Sequence, residues 1–194
     1  MHIPSPGSLS QPLITDKFRC DLAHRFGGAE KRPSLQNIAP STLPLMRQHL
    51  SRLAVPTSGE GFTDLTAALN REIASSGLQQ GIAQLVVLHT SCSLTVNENA
   101  DPRVLRDLTT YLRALVPQEG VRSLSGEGGL QRYAHDDEGP DDMPAHIRTA
   151  LTTTSLGLSF EQGRLLLGTW QAVYLWEHRA RAHQRQLSLH LIGE

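Results

Sequence analysis

Three segments of the chain concentrate the residue types that perform chemistry. They are HTSCSLTVNENADP at 89–102, YAHDDEGPDDMPAH at 133–146 and the strand-like LLLGTWQAVYLWEHR at 165–179. Histidines, carboxylates and hydroxyls gather there at a higher density than the solvation of a surface requires. Because ionisable groups in such numbers are typical of active sites, the three segments predict a functional site.

The second segment favours a metal site. Neutral imidazoles combined with carboxylates suit zinc, manganese or iron in a site that keeps one position open for water. We therefore predict His135 and His146 as metal ligands, with His89 as a further candidate, and a divalent metal (zinc, manganese or magnesium) as the cofactor. Their spacing matches no compact ligand motif such as HExxH. In the alternative interpretation the acids form a solvated loop, which Gly139 and Pro140 would favour.

The first segment supplies two further candidates for acid–base chemistry. His89 ends the apolar run IAQLVVLHT, which predicts a buried strand, and loops at strand ends often carry function. Glu98 lies in NENADP, which is too polar for a core. In the alternative interpretations, His89 is hydrogen-bonded to backbone at the strand end, and NENADP is a loop that caps the next helix. Cys92 is interpreted as a small buried hydrophobe. The predicted catalytic residues are thus His89, Glu98, His135 and His146.

The third segment supplies candidates for substrate binding. It contains both tryptophans of the chain, and strand alternation places Trp170 and Trp176 on one face. They belong to the core or form the wall of a pocket that stacks on a flat heterocycle. Arg179 could bind an anion or lie solvated at a strand end. We expect Thr90, Trp170, Gln171 and Arg179 to contact a small-molecule substrate.

Two helices are predicted to support the first segment. GFTDLTAALNREIASSG has apolar residues at helical spacing, a capping residue near its start and Gly77 at its end. A second helix begins at Asp101, as N-cap, and Pro102, and it stops before Pro117. A polar loop follows over about 118–143.

The remaining elements predict the fold class. A first strand contains Leu50 to Val55, and a short helix opens at Met143 and Pro144 and contains His146. Three strands are expected at about 155–160, 164–176 and 185–192, and the sequence EQGR forms the turn between the first two. Because helices and strands alternate only loosely, we predict an α+β fold with a sandwich of mixed or antiparallel β-sheet and a few helices.

Composition limits the domain organisation and the partners. Residues 1–42 are punctuated by proline, glycine and serine and predict a disordered or loosely packed extension, so a single domain is expected over 43–194. The net charge of −1 argues against nucleic-acid binding. We expect no membrane association, since no apolar run is long enough. Without a secretory signal or a disulfide framework, a cytoplasmic location is the simplest interpretation.

Taken together, the motifs resemble those of the YjbQ-like family, also called the secondary thiamine-phosphate synthase family. The resemblance covers about 45–194 and is carried by several ordered motifs: HTSCSLTVNENADP, YAHDDEGPDDMPAH, GRLLLGTWQ, GFTDLT and the closing Gly193 and Glu194. It implies a compact α+β fold that assembles as a homotrimer with a pocket near the subunit interface. It also implies weak thiamine-phosphate synthase activity, which joins a pyrimidine diphosphate to a thiazole phosphate with loss of pyrophosphate. Matching positions are His89, Glu98, His135, His146 and Gln171.

Two hypotheses for the function follow. In the first, the protein is a small-molecule enzyme, a thiamine-phosphate synthase-like transferase with a histidine-rich, metal-dependent site. In the second, it is a non-catalytic trimeric metabolite-binding module, in which the same histidines form a structural network at a subunit interface. The density of ionisable groups favours the enzyme.

Overall fold

The computed structural model describes residues 45–194, so the predicted extension at 1–42 lies outside the described part of the chain. Within 45–194 the elements are β1 Arg47–Pro56, β2 Gly61–Asp64, α1 Thr66–Ser76, β3 Gln80–Val87, β4 Cys92–Glu98, α2 Pro102–Leu115, α3 Asp142–Leu151, β5 Ser155–Glu161, β6 Arg164–Leu165, β7 Gln171–Glu177 and β8 Gln184–Gly193. No helix among these residues is long and apolar enough to cross a membrane.

The strands form two antiparallel sheets. The larger has the order β1-β8-β3-β5-β6 and the smaller has the order β2-β7-β4. In β8 every second residue is buried, so Leu187, Leu189 and Leu191 face the core while their neighbours face outward. This alternation follows from the two-residue period of a strand with one covered face.

The core lies between the two sheets and α1. Leu85 of β3 and Leu189 of β8 come from the larger sheet, and Leu94 and Leu175 come from the smaller one. Ile73 of α1 joins them, and each of these side chains is at most 1% exposed. Truncating one such side chain to alanine typically costs about 2–5 kcal/mol, so this cluster holds the sheets together.

The small sheet is also covered on its second face. Phe62 of β2 stacks on Trp176 with ring centroids 4.5 Å apart and meets Tyr174 edge-on at 5.8 Å. Helices α2 and α3 pack against β2 and β4. Strand β7 is therefore buried on both faces from Ala172 to Glu177, which explains its continuous run of large residues.

The predicted α+β class and the antiparallel alternative are confirmed, as are β1, α2 and α3. The segment predicted as the first helix includes Gly61–Asp64, which is instead a strand paired with β7, so α1 begins at Thr66. Asp64, one of the two residues expected to cap the helix (Thr63 or Asp64), accepts the Thr66 backbone N–H at 2.8 Å. The single strand predicted over 164–176 was also wrong. It is broken at 166–170 into β6 and β7, which belong to different sheets.

Candidate functional site

A cluster of two histidines and an aspartate forms where α3 begins. Asp142 and His146 are four residues apart on α3 and therefore share a face of the helix. His135 comes from the preceding loop, and its Nε2 lies 2.7 Å from Asp142 Oδ2. His146 Nε2 is 3.5 Å from the same oxygen. We call His135, Asp142 and His146 the triad.

The triad has the donor set of a divalent-metal site. One ligand atom from each of its residues lies within 4.8 Å of the others. Ligand atoms of a tetrahedral zinc are about 3.3 Å apart, as follows from bonds of about 2.0 Å. Asp142 is buried, whereas His135 is exposed and His146 is partly exposed. The cluster is thus anchored by its carboxylate and open on the side of the histidines.

Groups outside the triad orient its ligand atoms. The Nδ1–H of His146 donates to the carbonyl oxygen of Thr90 at 2.9 Å. In the neutral ring this leaves the lone pair on Nε2, the atom that faces Asp142. A histidine ligand is usually fixed in this manner by a carbonyl or carboxylate partner. The backbone of Thr90 therefore sets the tautomer that a metal requires.

Arg179 holds the carboxylate of the triad. Its Nη1 contacts Asp142 Oδ1, which leaves Oδ2 to face the two histidines. The same guanidinium donates to Asp141 Oδ2 at 3.1 Å and to the carbonyl of Glu138 at 2.8 Å. Arg179 was expected to bind substrate. Its donors instead bind the loop that leads into α3.

A buried ion pair supports the neighbouring loop. Arg185 donates to both carboxylate oxygens of Glu177 at 2.6 Å, and the two side chains are 2% and 1% exposed. Arg185 also donates to Ser91 Oγ at 3.1 Å. Thr57 Oγ1 donates to Glu177 Oε2 at 3.0 Å. Because Ser91 follows Thr90, this pair fixes the loop whose carbonyl orients His146.

The ionisation of this pair is set by opposing effects. Burial by itself raises the pKa of Glu177, but hydrogen bonds from Arg185 and from the Arg179 backbone N–H outweigh it, so the pKa is lowered. Burial lowers the pKa of Arg185, and the hydrogen bond to Glu177 reverses this into a raised pKa. Both groups are therefore charged at neutral pH.

His89 stands at the edge of this network. Its Nδ1 accepts the Ser91 backbone N–H at 3.1 Å. Desolvation, followed by the charge of Arg185, lowers the pKa of His89. The neutral ring therefore carries its proton on Nε2, and His89 is an exposed residue.

A cavity of about 470 Å³ adjoins the triad at His135. It is lined by Gln118, Glu119, Arg132, Tyr133, His135, Asp136 and Pro140. Tyr133 is fixed by donating its hydroxyl to the carbonyl of Pro117 at 3.0 Å. The volume falls within the range of small-molecule sites, which is about 300–1,000 Å³.

The other predicted site residues lie at the opposite end of the small sheet. Glu98 and Gln171 pair across the far end of β4 and β7. Trp170 precedes β7 and is 64% exposed. From Cys92 to Glu98 an extended strand spans about 20 Å. Within one chain, Glu98, Trp170 and Gln171 are thus well separated from the triad.

The sequence interpretation missed part of the site. It treated the acids of the second segment as one group without singling out Asp142, although the Asp142–His146 spacing at a helix start was an available signal. It also omitted His183, whose backbone N–H donates to Thr57 Oγ1 at 3.1 Å beside the Glu177–Arg185 pair. No pattern in the sequence marks that residue.

The fold and the triad define a class of two-sheet α+β proteins with a histidine–aspartate centre at the start of a helix. The chain belongs to the family described as "UPF0047 protein YjbQ-like", whose pattern matches residues 51–194. It is 44% identical over 154 residues to UPF0047 protein sll1880 of Synechocystis sp., covering 79% of this chain and 98% of that protein. It is 42% identical over 137 residues to UPF0047 protein YjbQ of Salmonella typhimurium, covering 69% and 90%.

Solved structures agree with this assignment. The crystal structure of the conserved hypothetical protein TT1486 from Thermus thermophilus superposes with a TM-score of 0.60 at 36% identity, covering 73% of this chain and 98% of that chain. The family resemblance drawn from the sequence motifs is therefore confirmed.

Proposed function

We propose that this protein is a metal-dependent small-molecule enzyme centred on the triad. The observation that carries the proposal is the convergence of two imidazole nitrogens and one buried carboxylate oxygen within 4.8 Å, beside an open cavity. Two histidines and one carboxylate suit zinc, manganese or iron better than magnesium, which prefers oxygen ligands.

His135, Asp142 and His146 would hold the metal. The bond from His146 Nδ1 to Thr90 and the contact of Arg179 with Asp142 support this assignment, because both leave the inward-facing ligand atoms free. When bound, a divalent metal would neutralise developing negative charge or lower the pKa of a bound water. Binding would require that His135 present the lone pair of Nε2, with its ring proton on Nδ1.

The family resemblance favours a phosphorylated substrate for this centre. Arg132 in the cavity carries positive charge, while Glu119 and Asp136 repel an anion. A divalent cation at the triad would offset that repulsion. The Nε2–H of His89 would donate to a substrate oxygen. The family resemblance specifies the reaction to test, the coupling of a pyrimidine diphosphate to a thiazole phosphate, in which departing pyrophosphate needs such charge stabilisation.

Metal content is the first test. Tag-free wild type, His146→Ala and Asp142→Asn are compared by mass spectrometry, with His190→Ala as the matched control. His190 lies outside the triad and contacts Gln48 Oε1 at 3.1 Å. We expect about one metal ion per chain in the wild type and the control, and little in the other two variants. Equal metal content in all four proteins, or none in any, would contradict the proposal.

Pyrophosphate release is the second test. Wild type and His146→Ala are incubated with the pyrimidine diphosphate and the thiazole phosphate, and turnover should require both the metal and His146. If metal binds but no turnover occurs, the proposal of a metal centre is retained and the proposed reaction is ruled out.

The alternative, a non-catalytic metabolite-binding module, predicts instead that His146→Ala breaks the predicted homotrimer, which size-exclusion chromatography with light scattering measures. The cytoplasm remains the proposed compartment.

A further inference from the structure

Tyr133 links the loop that carries His135 to the end of helix α2. Its hydroxyl donates to the carbonyl oxygen of Pro117 at 3.0 Å. Burial raises the pKa of Tyr133 above its ordinary value of about 10, so the phenol keeps its proton at neutral pH and acts as a donor. His135 follows two residues later and is exposed. The bond from Tyr133 to Pro117 therefore restricts where the backbone of His135 can lie.

The same end of α2 is held by the helix that carries the other two residues of the triad. Arg148 of α3 is 2% exposed, and its Nη2 donates to the carbonyl oxygen of Val116 at 2.9 Å. Its Nη1 donates to Glu60 Oε1 at 2.9 Å, which balances the buried charge. Residues two positions apart on a helix point about 200° apart. Arg148 can therefore hold the interior side of α3 while His146 lies on the partly exposed side.

Val116 and Pro117 are thus neighbouring acceptors for two parts of the metal site, and we call these two residues the anchor. Val116 is 2% exposed, and its backbone N–H donates to the carbonyl of Leu112 at 3.0 Å, which closes the last turn of α2. The position of the anchor is therefore well defined. A bond from Tyr133 to the anchor fixes the loop before α3 relative to α3 itself.

His135 needs such a restraint because its side chain has few contacts of its own. Among residues 45–194, its ring makes one hydrogen bond, between Nε2 and Asp142 Oδ2. When Nε2 presents its lone pair to a metal, it no longer has a proton to donate to Asp142. The placement of the ring before the metal arrives then depends on the backbone that carries it.

We propose that Tyr133 is a positioning residue for the metal site, which ties His135 to the anchor and, through the anchor, to helix α3. This role rests on the proposed function, in which the triad holds a metal. Groups that orient metal ligands typically contribute about 10–100-fold to metal affinity. The hydroxyl of Tyr133 acts through the backbone and not on the ligand itself, so the low end of that range, about tenfold, is expected.

The test is a double-mutant cycle in zinc affinity. Zinc binding is measured by competition with metallochromic indicators in the wild type, Tyr133→Phe, His135→Ala and the double variant. Tyr133→Phe keeps the ring and should fold. It should weaken binding about tenfold in the wild-type background and less than about twofold when His135 is already replaced. Tyr111→Phe removes another hydroxyl, from a residue that is 68% exposed on α2, and should bind zinc as the wild type does.

Two outcomes of the cycle would overturn the proposal. An equal loss of affinity with and without His135 would mean that Tyr133 acts on the protein as a whole. Wild-type affinity in Tyr133→Phe would mean that its hydroxyl has no positioning role.

A second measurement needs no metal. Relaxation of the ring ¹³C nuclei in metal-free protein reports the ps–ns mobility of the His135 ring, with the His146 ring as the internal reference. Tyr133→Phe should increase the mobility of His135 and leave that of His146 unchanged. Unchanged mobility of His135 would contradict the proposal. If the wild type binds no zinc, the proposed function fails, and this measurement still decides whether Tyr133 positions His135.

Discussion

Lowering the pH should destabilise the protein through one buried histidine. His178 follows β7 and is 1% exposed. Its Nε2 lies 2.9 Å from Ser93 Oγ, and within residues 45–194 its Nδ1 has no hydrogen-bond partner. Burial, assisted by the positive charge of Arg148, lowers the pKa of His178 to about 3. The folded protein therefore keeps this ring neutral, whereas the unfolded chain protonates it near the ordinary value of about 6.5.

The sign and size of the effect follow from proton linkage. Between pH 6.5 and 3 the unfolded chain binds a proton at His178 that the folded protein does not, so stability falls as the pH falls. The contribution of His178 is complete above pH 6.5. From pH 7.5 to pH 5.0 the expected loss is about 2 kcal/mol, and it is governed by the unfolded-state pKa because pH 5.0 lies well above the folded-state value. For a domain of this size the loss lowers the Tm by about 4–8 °C.

The assay compares urea unfolding of the wild type and His178→Gln at pH 7.5 and pH 5.0. The glutamine amide can take the place of Nε2 beside Ser93 but does not titrate. The variant should be less stable at pH 7.5 and should lose about 2 kcal/mol less than the wild type on acidification. His190→Gln, which removes a histidine from the outward face of β8, should lose as much as the wild type.

Comparing the loss of unfolding free energy on acidification in the two proteins can refute this prediction. If the wild type and His178→Gln lose the same free energy between the two pH values, His178 does not carry the effect. In that case the ring would be protonated in the folded state, and the argument from burial would fail.

Three further predictions concern other parts of the structure. Arg179→Gln frees Asp142 to rotate and should weaken zinc binding about 10–100-fold in a competition titration with a chelator. Burial raises the pKa of Cys92 to about 12, so native protein should not react with Ellman's reagent at pH 8, where roughly one thiol in ten thousand is ionised. Gly81 has φ +155° and a Cβ there would meet the carbonyl of Ile192, so Gly81→Ala should lower the free energy of unfolding by about 2–4 kcal/mol in urea.

Each of these predictions has a matched control. Arg113→Gln removes a guanidinium that binds Glu60 and should leave zinc affinity unchanged. The thiol assay is made in Cys20→Ser, so that any labelling before denaturation reports Cys92 and contradicts its burial. Gly129→Ala adds a Cβ with no atom within 4 Å and should change stability by less than about 0.5 kcal/mol. An equal loss in both glycine variants would refute the steric argument.

The structure separates residues that the sequence motifs suggested as one site. His135 and His146 converge with Asp142, whereas Glu98, Trp170 and Gln171 gather at the far end of β4. A ligand that contacted both clusters in one chain would have to span about 20 Å.

Local patterns were sufficient for much of the secondary structure. Asp101 and Pro102 start α2 because the aspartate accepts the Arg103 backbone N–H at 2.8 Å. This contact joins residues two positions apart, so the local sequence is enough to predict it. Gly77 ends α1 in the left-handed conformation, which glycine adopts without strain. Gly61–Asp64 could not be assigned locally, because it is a strand only through its pairing with β7.

The sequence alone determined the family, the α+β class and the two histidines that carry the candidate metal site, because these depend on residue type and on spacing within a helix or strand. Only the tertiary structure decided that Asp142 completes the triad, that Arg179 binds the loop before α3 and that Trp170 lies apart from both. The contact of Arg179 with Asp142 joins residues 37 positions apart in the chain, and the meeting of His135 with Asp142 depends on how the loop before α3 folds. The packing of two sheets sets their distances, and no local pattern encodes that packing.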